Sequence, residues 1–220
     1  MSSGYAIAKI ISSNTEFELS GKTSNFGVPI IKPVDKDSSF DLASVTKVMC
    51  TTTVFMRASE DKTISLNDPI SQFLPEWKNT EKSDLTIEDL LRHESGLEEW
   101  RPFYITCKNP EEVVEMISKL PLKYPKQREF HYSDLNFIIL GAVLQRIYSS
   151  DLKLIFENQV AQPLLLTNTR FTTPIDRGNV VATSIGDSIE RNMVDTKQPY
   201  LIPERAEDFL GWRETVLSGE

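Results

Sequence analysis

Apolar and polar residues alternate twice near the start of the chain. Tyr5, Ile7, Lys9 and Ile11 interleave with Ala6, Ala8 and Ile10, and after Ser12-Ser13-Asn14 the segment TEFELSG alternates again through Phe17 and Leu19. A period of two on both sides of a polar turn predicts a β-hairpin. Glycine, proline and aspartate between Gly27 and Asp37 predict a loop. The period then changes. In FDLASVTKVMCTTTVFM, Val45, Val48, Met49, Thr52, Phe55 and Met56 share a helical face, with Asp41 or Ser44 placed to cap the helix.

Further helices follow from their start and stop residues. SLNDPISQFLPEW offers Asp68 as a cap and Pro69 as first helical residue, ending at Pro75. TIEDLLRHESGL predicts a short helix closed by Gly96, and Asn109-Pro110 opens EEVVEMISKL, which Pro121 ends. YSDLNFIILGAVLQRIYSS is the longest predicted helix, burying Leu135, Ile138, Ile139, Ala142, Val143 and Ile147. DLKLIFENQVAQPLLL predicts another, ending near Pro163. Beyond it the pattern offers only a short strand near TRFTT and a last helix in RAEDFLGWRETVLSG. Two clear strands make a marginal sheet, so the chain reads as unfinished on its sheet side.

Composition narrows the function classes. The 220 residues are 40% hydrophobic and 25% charged, as in an ordinary globular protein. A formal net charge of −8 argues against a nucleic-acid partner. No apolar run approaches the roughly 20 residues of a membrane-spanning helix. MSSGYAIAKIISS lacks a basic leader, so the chain as written reads as cytoplasmic, although a longer parent could be exported. Cys50 and Cys107 form neither a disulfide framework nor a metal cluster, and Cys50 reads as a small buried apolar residue.

Two segments carry candidate chemistry. Ser-x-x-Lys occurs at Ser44-Lys47, Ser59-Lys62 and Ser150-Lys153. The last two sit among charges at helix ends, where caps and solvated lysines explain them. Only Ser44-Lys47 lies on an apolar helix after a loop, where a hydroxyl and an amine one turn apart could act as nucleophile and proton acceptor. The alternative there is a helix cap plus a lysine that reaches water. In FHYSDLNFIILG, Tyr132 is either a general base beside a cation or an apolar staple next to a capping Ser133 or Asp134. No Gly-x-Ser-x-Gly, no His-Glu-x-x-His, no zinc spacing and no phosphate loop occurs, which argues against a metal or nucleotide cofactor.

FDLASVTKV, ISLNDPISQFLPEW, LTIEDLLRHESGL and FHYSDLNFIILGAVLQRI, in that order, resemble the serine hydrolases related to class C β-lactamases. That group includes penicillin-binding proteins, D-alanyl-D-alanine carboxypeptidases and esterases. The resemblance runs from about Gly4 to Glu220 and is weakest after Asn168. It implies an α+β, transpeptidase-like fold: a helical subdomain, roughly Asp41 to Leu166, against an incomplete antiparallel sheet. It implies a cofactor-free acyl-enzyme mechanism on a small-molecule or peptide ester or amide, β-lactam-like or D-alanyl substrates included. Ser44 would be the acylated nucleophile, Lys47 the group that helps deprotonate it, and Tyr132 the partner base and the acid for the leaving group. Asp134 stands where the family often has asparagine against the substrate amide. It keeps an acceptor and loses a donor. A class A register, Ser133-Asp134-Leu135 for Ser-Asp-Asn, fails at its third position. His93 reads as structural within its turn.

The family's third motif, Lys-Thr-Gly or His-x-Gly on a strand, has no match after Tyr132, and GKTS at Gly21 to Ser24 precedes the nucleophile. The expectation is therefore one β-lactamase-related domain over residues 1–220 that lacks its C-terminal strands and helix. The Ser44 amide would supply one oxyanion donor and the missing strand the other. Losing such a donor costs about 10²–10³ in turnover. The rival expectation is a crippled fragment that binds or complements a partner, or associates with itself, through its incomplete sheet.

Overall fold

The computed structural model describes residues 4–12, 14–23, 32–171, 180–181 and 192. The chain divides into two compact units, Met1–Ala43 with Phe171–Thr196 and Ser44–Arg170 with Lys197–Glu220.

In the first unit, β1 (Gly4–Ile11) and β2 (Asn14–Gly21) pair antiparallel, from Gly4 against Gly21 to Ile11 against Asn14. Because Asn14 still pairs, the turn is one residue tighter than the polar triplet predicted. Ser12 sits at φ 56, the left-handed conformation that two-residue hairpin turns require. The alternation sorts Ala6, Ala8, Ile10, Phe17 and Leu19 onto one face. The other face mixes Tyr5, Ile7, Lys9 and Ile11 with Glu16 and Glu18, and the Tyr5 hydroxyl donates to Glu18 at 2.8 Å. A second pair, β3 (Ser39–Phe40) with β4 (Val180–Val181), is parallel. Of the strand looked for near TRFTT, residues 169–171 are not extended into a sheet, and Thr172 and Thr173 lie outside the described residues. So do most of the Gly27–Asp37 loop's first half and the helix foreseen in RAEDFLGWRETVLSG.

The described residues of the second unit fold mainly into helices and turns. They include α1 (Thr53–Glu60), α2 (Ile87–Leu91), α3 (Phe103–Thr106), α4 (Pro110–Lys119), α5 (Asp134–Tyr148) and α6 (Leu152–Phe156). α5 is buried on nearly all sides, through Leu135, Phe137, Ile139, Leu140, Val143 and Leu144, so its apolar face is wider than the expected stripe. Asn109 caps α4 by accepting from Glu112 N at 2.9 Å, and α6 runs on as a π turn (Glu157–Ala161) towards Pro163.

Three expectations are corrected. The Ser44 helix opens as a π turn, Lys47–Thr52, before α1. Its buried face is Lys47, Cys50, Thr51, Val54, Phe55 and Ala58, while Val45, Val48 and Met56 are exposed. A π turn leaves its carbonyls poorly served, and the hydroxyls of Thr52 and Thr53 donate to the carbonyls of Lys47 and Val48, each at 2.9 Å. Asp41 serves the preceding turn instead of the helix, its Oδ1 accepting from Ala43 N at 2.8 Å.

The segment after Asp68 is two 3₁₀ turns, Ile70–Gln72 and Pro75–Trp77, not one α-helix. Pro69 is extended and bridges Thr86, and the Asp68 carbonyl accepts from Ile87 N. Finally, Gly96 does not close α2. His93 does, at φ 57, with Glu94 N donating to Asp89 O and His93 N to Leu90 O, a Schellman pair. Gly96 is needed for another reason. A Cβ there would lie 2.3 Å from the Tyr124 carbonyl oxygen, and the Gly96 carbonyl accepts from Lys123 N and Tyr124 N.

Candidate active site

Ser44 lies at the head of the π turn, half-buried, and its carbonyl accepts from Lys47 N at 3.1 Å. This tight first turn places both side chains on one side of the helix. The Lys47 Nζ atom donates to Ser44 Oγ at 2.9 Å. The lysine is only 4% exposed, so its ammonium needs a partner. Asp134 supplies it, with Oδ1 at 2.9 Å from Nζ. The aromatic rings of Tyr132 and Phe137 lie 5.5 Å and 6.0 Å from the same nitrogen. Burial pushes the Lys47 pKa down. The hydrogen bond and charge of Asp134, joined by the Tyr132 phenol, more than reverse this, so the lysine ends above its ordinary value.

Tyr132, 44% exposed, and Asp134 arrive from a segment that the loop after α2 holds in place. His131 N donates to His93 O at 2.9 Å, Ser133 Oγ to Glu98 O at 2.5 Å, and Asp134 N to Glu99 O at 2.8 Å. The His93 ring adds the decisive contact. Its Nδ1 accepts from Ser133 N at 3.0 Å and from Asn136 Nδ2 at 3.2 Å, which fixes the neutral imidazole with its proton on Nε2. The ring packs on Tyr132 at 4.6 Å between centroids, and on Phe137 and Phe130. Burial holds its pKa below the ordinary histidine value, and the Lys47 charge pushes the same way. Asn136 completes the chain by accepting from Ser95 Oγ, which itself accepts from Leu97 N. Ser95, Ser133 and Asn136 are almost wholly buried.

The structure thus brings Ser44, Lys47, Tyr132 and Asp134 together around one nitrogen. Lys62 and Lys153 of the other two Ser-x-x-Lys pairs are exposed. Sequence reasoning missed Asn136 and the buried network behind it. A fully polar side chain on the most buried face of an otherwise apolar helix was the signal. Burial pushes the Cys50 thiol up to about 12, so it is no competing nucleophile. Among the described residues, no group of three or more His, Cys, Asp or Glu could hold a metal ion, and no helix is long and apolar enough to cross a membrane.

The profile of the Beta-lactamase family matches residues 14–200, and the chain belongs to that family. An N-acetylmuramyl-L-alanine amidase of Bacillus subtilis is 27% identical over 152 residues, which are 63% of this chain and 34% of that protein. A putative D-alanyl-D-alanine carboxypeptidase of Salmonella agona is 29% identical over 156 residues, 64% of this chain and 36% of the relative. The chain thus spans about a third of the length of these curated relatives. A β-lactamase/D-alanine carboxypeptidase from Yersinia pestis, solved with citrate, superposes with a TM-score of 0.69 at 21% identity, over 82% of this chain and 54% of that one. The fold is accordingly α+β, of the β-lactamase and penicillin-binding-protein type.

Proposed function

We propose that this chain carries the nucleophile half of a serine hydrolase that works through an acyl-enzyme on esters or amides. The observation that carries the reading is the Lys47 ammonium held between Ser44 Oγ and Asp134, each at 2.9 Å. A cation donating to the serine oxygen stabilises the alkoxide that must form there. In the first step a bond forms between Ser44 Oγ and the acyl carbon, and the bond from that carbon to the leaving oxygen or nitrogen breaks. The serine proton passes to Tyr132 and on to the leaving group. Water then attacks the acyl-enzyme by the reverse route and restores Ser44. β-Lactam-like compounds, D-alanyl peptides and small esters are the substrate classes this chemistry serves.

The test is direct labelling. A fluorophosphonate should add to Ser44, located by peptide mass spectrometry, and S44A should take up none. A folded chain that leaves Ser44 unlabelled, or reacts at another residue, would remove the assignment.

A second reading, association or complementation through the sheet, is favoured by one feature. The apolar hairpin face is exposed, Ile10 at 73% and Phe17 at 50%.

A further inference from the structure

We propose that Asn136 is a positioning residue for acyl transfer: acting through His93, it holds the Tyr132 phenol where a proton can pass to the leaving group. The inference deepens the hydrolase reading and rests on it, since it concerns how one group of that mechanism is kept in place.

Asn136 lies in the first turn of α5 and is wholly buried, as is Ser133 before it. A buried amide is costly unless its oxygen and its nitrogen both find partners. Here each proton of the network has a fixed direction. Leu97 N donates to Ser95 Oγ at 3.1 Å, and the Ser95 hydroxyl donates to Asn136 Oδ1. Asn136 Nδ2 therefore faces His93 Nδ1, 3.2 Å away, and donates to it. The same Nδ1 accepts from Ser133 N at 3.0 Å, and the His93 carbonyl accepts from His131 N at 2.9 Å. One residue thus grips the chain on both sides of Tyr132. Its ring also packs on the Tyr132 ring, at 4.6 Å between centroids and 34° between planes. Tyr132 needs that support, being 44% exposed. Asn136 acts one step further back. It pins the imidazole in the orientation and tautomer that accept the Ser133 amide, and a buried network with every member satisfied is rigid. Without it the His93 ring is free to turn, and a displacement of about 1 Å at a reacting group costs on the order of 100-fold in rate.

Two acetate esters separate positioning from mere folding. Phenyl acetate releases a basic phenolate that departs faster when it receives a proton, whereas 4-nitrophenyl acetate releases a phenolate that departs without one. Acetylation of Ser44 is followed in single turnover by peptide mass spectrometry, with phenol release as a second readout and S44A as the blank. Loss of folded protein slows both esters alike and cancels in their rate ratio. N136L keeps a side chain of similar size and removes both hydrogen bonds. It should slow phenyl acetate about 10-fold more than 4-nitrophenyl acetate, a part of the roughly 10²–10⁴ that a placed proton donor contributes. Y132F should show at least that fall, and adding N136L to Y132F should move the ratio no further. A wild-type ratio in folded N136L or in Y132F, or a further fall in the double variant, overturns the proposal, while acetylated Ser44 leaves the hydrolase reading intact. Should N136L not fold, S95A decides. It keeps Asn136 and removes the hydroxyl that orients it, so the ratio should fall about 3-fold, as for one lost hydrogen bond. An unmoved ratio in S95A then sinks the proposal. Absence of Ser44 acetylation by either ester in folded wild type removes both it and the hydrolase reading.

Discussion

His93 occupies a backbone conformation that glycine or asparagine would enter more easily, φ 57, and spends its ring on accepting hydrogen bonds. Both features follow from its position, where α2 must end and the Tyr132 segment must be held. The neutral imidazole that results has a pH consequence. Burial, with the Lys47 charge, puts the folded pKa below the ordinary value. The unfolded chain takes up its proton at about pH 6.5. As pH falls below that value the unfolded state binds the proton first, so stability drops until folded His93 is protonated too. H93N suits the left-handed backbone and offers an amide oxygen in place of Nδ1, with nothing to titrate. Urea denaturation at pH 7.5 and pH 5 should therefore show a larger loss for the wild type than for H93N. Equal losses would assign the acid sensitivity elsewhere.

At the scale of elements, α2 shows how much rests on a short helix. It has only five residues, yet it carries His93 just beyond its end. Thr86 caps it in a full capping box with Asp89, and Asp89 Oδ2 also accepts from Gln127 Nε2 at 2.9 Å, tying α2 to the segment before Tyr132. T86A should cost about 1 kcal/mol, within the usual range for a lost cap. D89A should cost more, since it strips both the box and the tie. Denaturant titrations measure both. A D89A cost no larger than that of T86A would mean that the Gln127 contact contributes nothing.

Elements whose limits are local were legible in the sequence: the hairpin by its alternation, α4 by Asn109 and Pro121, and the end of the helical run after α5 by Pro163. The π turn was not, because its register depends on Thr52 and Thr53 bonding back to carbonyls and on Lys47 finding Asp134. The apolar-face pattern put Val45 and Val48 inside, whereas the structure exposes both and buries Lys47. Gly96 was misread for a similar reason. Its freedom serves a close approach to Tyr124, a long-range contact with no local mark. Within the site, the Ser44-Lys47 pair stood out only by its place on an apolar helix after a loop, since the same spacing occurs three times in the chain. The meeting with Tyr132 and Asp134, about 85 to 90 residues away along the chain, came only from resemblance, and Asn136 from neither.

For the molecule as a whole, the hairpin poses the open energetic question. Its apolar face presents Ala6, Ala8, Ile10, Phe17 and Leu19 in cross-strand register, and Ile10 and Phe17 are at least half exposed. The opposite face adds Ile7 at 53% and Ile11 at 51%. A two-stranded sheet with that much uncovered apolar surface gains by covering it, at about 25 cal/mol per Å² removed from water. A net charge of −8 opposes close approach of two copies, and salt screens that repulsion. The chain should therefore associate with rising concentration, more strongly in about 0.5 M salt than at low salt. I10T/F17T keeps β-branched character at one site and lowers apolar area at both, so it should shift the midpoint of association to markedly higher concentration. Sedimentation velocity across a concentration series measures this directly. A wild type that stays monomeric throughout, or a double variant that associates equally, would show that the hairpin face drives no assembly.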